Sequence, residues 1–348
     1  MNKPEIIHNQ DHNFMFDMKT GLVVPKRTQE VEVRIQAPCV RAKYTLTKRH
    51  AESGDVVQEV SFYNMVLDTW LNTLGGDSAT GTNGFCVGGV QIGTGTTPPQ
   101  FTDTALQALV ATTTNNLAGW QSFNNSSAPN YVTTTIGNYR FAQGALNGTF
   151  TEMGLRRTAD AQTISRTLIK DGAGNPIGFT VTPIEVLDVS VATENWPPLG
   201  DLTYSVNVTG SGTHDCISRA CLANDSTYWS NAINFGYYPT YGKICTAGGP
   251  GDHWGYSGLI GGITGSPSGS GARVQSAGSL AYSNNSYQRE SNIYCDSNNG
   301  NIAGDLPWRS VLVQFGGARF QIQFTPGIAK TNTKALSLSL MFSWGRKV

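Results

Sequence analysis

Charge is what this chain has least of. Asp, Glu, Lys and Arg together supply 14% of 348 residues, against about 25% in ordinary soluble domains. The two signs balance to a formal net charge of +0, so no overall field draws the chain to nucleic acid. No run of about 18 apolar residues occurs, which excludes a membrane-spanning helix. The first residues include Asn2, Lys3 and Glu5, where a secretory leader would build an apolar stretch. Synthesis in a cytoplasm is therefore expected. Heptads and solenoid periods are missing as well.

What replaces charge is Gly, Ser, Thr and Asn. Such a polar surface suits extended strands, tight turns and subunits that work packed against others. Aromatic residues at 10% are enough to build a core, which excludes a disordered chain. Six cysteines, Cys39, Cys86, Cys216, Cys221, Cys245 and Cys295, are spaced irregularly. A chain of this size needs no stapling. The thiols are read as reduced when made, and whether Cys216 and Cys221 pair later is left open.

Period-two alternation recurs along most of the chain. It marks residues 31–35, 40–46 and 56–60, with Glu52, Ser53, Gly54 and Asp55 as a hairpin turn. It returns at 139–141, 148–155, 164–170, 177–181 and 186–191, and again at 202–208, 311–315, 319–324 and 336–342. Residues 1–30 are polar and irregular, an arm with little to hold it in place alone. Residues 111–138, rich in Thr, Asn and Ser, read as a long loop. The expected fold is mainly β, an antiparallel β-sandwich with long loops. Its body is 31–208 plus 306–348, built as one sandwich or two packed ones, and 209–305 forms an excursion.

One helix interrupts the strands. Phe62, Val66, Leu67, Trp70, Leu71 and Leu74 share a helical face. Ser61 is the expected N-cap and Gly75-Gly76 the stop, giving a central helix over about 61–74. The segments "NMVLDTWLNTLG" (64–75), "VQIGTGTTPP" (90–99) and "FTDTAL" (101–106) follow in order. After them come Glu152-Met153-Gly154-Leu155, Ser165 through Gly172 with Gly174-Asn175-Pro176, and Ile184 through Val189. Phe324 through Ile328 and Ser343-Trp344-Gly345-Arg346 close the series. Together they resemble a family of tailed-bacteriophage tail and baseplate structural proteins. That resemblance spans most of 40–348, except about 224–305. It implies a homo-oligomer in a virion tail, assembled with other tail proteins after synthesis in a host bacterium. A receptor-binding fibre or tip that contacts a host surface glycan or protein is the alternative.

Several constellations invite a reaction, and each has a simpler reading. Gly93, Thr94, Gly95 and Thr96 lack the Lys of a phosphate loop and run into Pro98-Pro99, so a tight strand-to-loop turn is expected. His214, Asp215, Cys216 and Cys221 lack the paired spacing of zinc sites, and Cys245, Cys295 or His253 would have to complete the set. Buried thiols or a disulfide are the better reading, with no metal and no cofactor. Asp225, Asp252, Asp296 and Asp305 could serve a polysaccharide hydrolase, but they sit among turn formers. No Gly-x-Ser-x-Gly elbow appears in a strand–turn–helix context either. No catalytic residue is assigned, and an enzyme is not expected.

Two regions bear on contacts. From 306 to 348, Arg309, Arg319, Lys330, Lys334, Arg346 and Lys347 face no Asp or Glu in sequence, and solvent-side strand positions are expected for them. Residues 224–304 combine Tyr and Trp with Gly, Ser and Asn, the composition of binding loops. Trp229, Tyr238, Trp254 and Tyr256 are the expected anchors for a neighbouring subunit or a host receptor. The flanking runs 202–208 and 311–324 are expected to pair directly, which would make this segment project from a finished sheet.

Overall fold

Alternation builds the sheets, and their twofold side-chain period decides which residues become core. The computed structural model describes residues 14–17, 22–25, 32–75, 87–125, 131–157, 161–224, 253–274, 276–279, 285–315 and 318–347. Strands, numbered here in chain order, dominate them.

The large sheet runs β19 (Ser276–Ser279), β20 (Gln288–Cys295), β23 (Leu336–Arg346), β3 (Glu32–His50), β14 (Glu185–Trp196), β9 (Val132–Phe141), β8 (Asn116–Asn125). β4 (Val56–Tyr63) also pairs with β3, through the expected hairpin whose Gly54 sits at φ +77. The second sheet runs β15 (Leu202–Val208), β16 (Gly212–Ala220), β22 (Ala318–Ile328), β21 (Trp308–Phe315), β17 (Trp254–Tyr256), β18 (Gly271–Arg273). The small sheet runs β5 (Met65–Val66), β12 (Thr163–Leu168), β11 (Glu152–Arg157), β6 (Val87–Gly93), β7 (Leu109–Thr113). Two strand pairs complete the set: β1 (Phe14–Asp17) with β2 (Leu22–Pro25), and β10 (Gly148–Phe150) with β13 (Phe179–Val181). Pairing is antiparallel except between β23 and β3.

β3 spans the large sheet and touches both other sheets. Its register against β23 shifts between Ser343 and Gly345. The extra β3 residue there switches the buried parity from Val33 and Ile35 to Val40, Ala42, Tyr44 and Leu46, so one face stays dry along the strand. The first part of that face meets the second sheet. Phe320 and Phe342 are T-shaped at 5.5 Å, and Ser218 Oγ donates to Arg34 O at 2.8 Å. The later part meets the small sheet, where Tyr44 Oη and Ser165 Oγ lie 2.8 Å apart.

Three expectations are corrected. The helix α1 is Asp68–Gly75, not 61–74. Phe62 belongs to β4, and Ser61 bonds Thr45 Oγ1 at 2.7 Å instead of capping. Apolar residues four apart fitted a helix face, but pairing of β4 with β3 claims the first part of the run. Trp70 and Leu71 are buried, as the apolar stripe requires. Residues 111–138 hold parts of β7, β8 and β9 in place of a loop. Their inward positions include Thr133 and Thr135, both buried, so β-branched Thr forms strand without an apolar signature. Finally, 202–208 and 311–324 are separated by β16, which pairs with both β15 and β22. The described parts of 209–305 supply strands to both larger sheets and do not project as one excursion. Small residues hid those strands.

Candidate functional site: an aromatic pair on the second sheet

Of the expected anchors, Trp254 and Tyr256 lie on β17, whereas Trp229 and Tyr238 fall outside the described residues. β17 lies against Trp308 at Gly255. A Cβ there would come within 2.2 Å of Cε2 of Trp308, a buried indole whose Nε1 donates to Gly300 O at 2.7 Å. Only a bare backbone can lie on that ring. The alternation then turns Trp254 and Tyr256 to the opposite face, where their centroids are 6.5 Å apart and tilted by 35°. Gly271 faces Tyr256 across the β17–β18 pair, and the exposed Arg273 faces Trp254.

Beside this pair the same sheet face is roofed by residues 257–270. Gln321, fully buried, donates from Nε2 to Gly261 O and Gly262 O at 3.1 and 2.9 Å and accepts from Gly261 N at 2.8 Å. Ser310 Oγ donates to Gly258 O at 2.8 Å. The roof leaves both aromatic rings half-buried. Burial pushes the Tyr256 phenol above its usual range. Two rigid rings beside a guanidinium offer stacking area for a sugar or an apolar side chain.

His253 precedes the pair and points inward. Its Nδ1 accepts from Gln314 N at 3.2 Å, and burial pushes the imidazole down from 6.5 to about 4. Between those values the unfolded chain takes up a proton that the folded state refuses, so stability falls as pH drops from 6.5 to about 4. The loss should total about 3 kcal/mol and level off below that window. Urea unfolding across this range, compared with His253→Asn, reads the difference. Parallel pH profiles for the two proteins would refute the assignment.

Sequence reasoning assigned no role to Glu152, whose carboxylate accepts four hydrogen bonds. It is fully buried on β11. Its Oε1 accepts from Gly95 N at 3.1 Å and Ala108 N at 2.7 Å, and its Oε2 accepts from Gln107 N at 3.1 Å and Arg166 Nε at 2.8 Å. Arg166 also pairs with Asp103 at 2.6 Å and donates to Thr97 O at 3.1 Å. Gly93-Thr94-Gly95 is thus a turn clasped by a carboxylate. A Cβ at Gly95 would lie 2.4 Å from Glu152 Oε1. The available signal was an acidic residue on a strand among apolar neighbours. Trp344 and Arg346 close the other side: Trp344 Nε1 donates to Leu71 O at 2.9 Å. Arg346 donates to Val66 O at 2.6 Å, pairs with Asp68 and lies 4.2 Å over the Phe101 ring. Segments quoted far apart in sequence therefore meet around the small sheet.

The remaining candidates separate in space. His214 and Cys216 point inward while Asp215 is exposed, so the three do not converge. The His214 ring nitrogens meet Pro326 O at 2.5 Å and Ser211 Oγ at 3.0 Å. Cys216 is a free thiol, so no Cys216–Cys221 bridge forms. Asp296 caps its own turn, accepting from Asn298 N at 2.8 Å and Asn299 N at 3.0 Å. Asp305 sits in a turn at φ +52. Asp225 and Asp252 lie outside the described residues. The basic C-terminal series does not all face solvent, because Lys330 is buried.

A second aromatic–cation group appears on the outer face of the large sheet. Arg41 lies 3.9 Å above the Tyr63 ring and 5.4 Å from the Trp196 ring, with Lys347 at 5.0 Å from the latter. Glu194 holds Arg41 at 2.7 Å. Comparisons with protein-family models, with characterised proteins and with solved structures find no match.

Proposed function

We propose that the chain is a structural component of a bacteriophage tail, at the baseplate, tail tip or fibre attachment. It is made in the host cytoplasm and works in the virion, where identical copies and other tail proteins hold one another by shape and multivalency. One observation carries this reading. β7 ends the small sheet, pairing only with β6 among the described strands, and exposes Leu109 and Val110 at 52% and 54%. An apolar unpaired edge is a hazard for an isolated subunit and a joint in an assembly. The β1–β2 pair, a sheet of its own, adds support, since two strands alone are marginal in water. The motif resemblance and the low charge point the same way.

Removing residues 1–28 tests the arm. The truncated body should unfold at nearly the same denaturant midpoint, yet enter particles poorly when it replaces the full chain during phage growth. Normal incorporation, counted by mass spectrometry of purified particles, would rule out an assembly role for the arm. A second reading, contact with a host surface glycan, is favoured by the Trp254–Tyr256 pair beside Arg273.

A further inference from the structure

Lys330 is an unusual place for a cation. It follows β22 with 1% of its surface exposed. Its Nζ lies 2.7 Å from Asn301 Oδ1 and 3.1 Å from Thr331 O. Among the described residues no carboxylate comes within ion-pair distance of Nζ. A buried ammonium without an ion-pair partner is costly, and burial moves this amine toward its neutral form against the opposing pull of Cys295 and Asp296. A neutral amine is a nucleophile. Asn301 meets it with the carbonyl end of its amide, while Nδ2 donates to Ser297 O at 2.7 Å and so points away.

We propose that Lys330 and Asn301 form an intramolecular isopeptide bond. Nζ attacks Cγ of Asn301, the Cγ–Nδ2 bond breaks, and one proton passes from Nζ to Nδ2, which leaves as ammonia. A secondary amide remains, and no oxidant, metal or other reactant is consumed. If the amine starts as ammonium, its extra proton is released first. Water is the acceptor for it, because Asp296, whose charge acts on Lys330, does not lie within ion-pair distance. Holding the two groups in contact in a dry site replaces a very slow encounter reaction by a local one. The bond would tie the β20–β21 loop to the β22–β23 connection, joining residues 29 apart in sequence. Those loops carry strands of both larger sheets, so the link would resist their separation under load.

The test uses the full-length protein and needs no variant to fold. Its denatured intact mass is measured fresh and after prolonged incubation in the folded state, followed by tryptic mapping. The expected result is a mass lighter than the sequence by one ammonia, with peptide 290–309 joined to peptide 320–334 and Lys330 uncut. Asn301→Ala should restore the full mass. An unmodified mass at all times would overturn the proposal. So would an ammonia loss that maps to Asn147-Gly148 or Asn299-Gly300, where cyclisation of the asparagine gives the same mass change.

Discussion

Arg166→Ala is expected to destabilise the protein by about 3–5 kcal/mol, the usual cost of removing one partner from a buried ion pair. Glu152 would keep its hydrogen bonds from Gly95 N, Gln107 N and Ala108 N, but it would stay fully buried with no counter-charge. Asp103 would lose the same guanidinium, and Thr97 O its donor. The double variant Glu152→Gln with Arg166→Met should recover part of the loss, because two neutral groups bury more cheaply than one unpaired charge. Urea unfolding of Glu152→Gln, Arg166→Met and the double closes the cycle. Hydrogen exchange at Gly95, Gln107 and Ala108 should quicken in Arg166→Ala before the rest of the small sheet responds. A loss under about 1 kcal/mol would mean that the clasp is not what holds residues 94–108.

Trp254→Ala and Tyr256→Ala together should abolish particle assembly or adsorption while leaving a folded subunit. Aromatic anchors at the centre of an interface cost about 2 kcal/mol or more each when truncated, a roughly 30-fold loss of affinity per ring. Their half-buried position also implies a stability cost. Full burial of a large aromatic is worth about 3–5 kcal/mol against Ala, so rings that keep part of their surface in water should cost about 1–2 kcal/mol each. Assembly and adsorption are measured beside urea unfolding of the isolated subunit. Unfolding of the double variant would make the rings ordinary core. Unchanged assembly and adsorption would remove this face from the list of contacts. If only adsorption fails, the host-glycan reading gains over the subunit interface.

The legibility of the chain followed its apolar residues. β15 and β23 start where alternation begins in the sequence, and β14 contains the clean run 186–191. The turn at 171–176 was equally plain, and Asp171 Oδ1 closes it by accepting from Ala173 N and Asn175 N at 2.9 and 2.8 Å. Strands made of Thr, Asn, Ser and Gly were opaque. β8 and the first part of β9 carry little hydrophobic contrast, β17 is only Trp-Gly-Tyr, and what buries such strands is a neighbour found only after folding, such as Trp308 beneath Gly255.

Local pattern by itself determined that this is a mainly β chain with a helix ending near residue 74, that its core residues alternate along strands, and that no long apolar segment exists. Tertiary structure alone decided the length of that helix, because β3 captured residues 56–63 as a partner strand. It alone brought Gly95, Asp103, Glu152 and Arg166 into one clasp and left Lys330 buried against Asn301. Periodicity records which face of an element is dry. The partner on the other side of that face comes from residues distant in the chain, and only the closed fold brings them together.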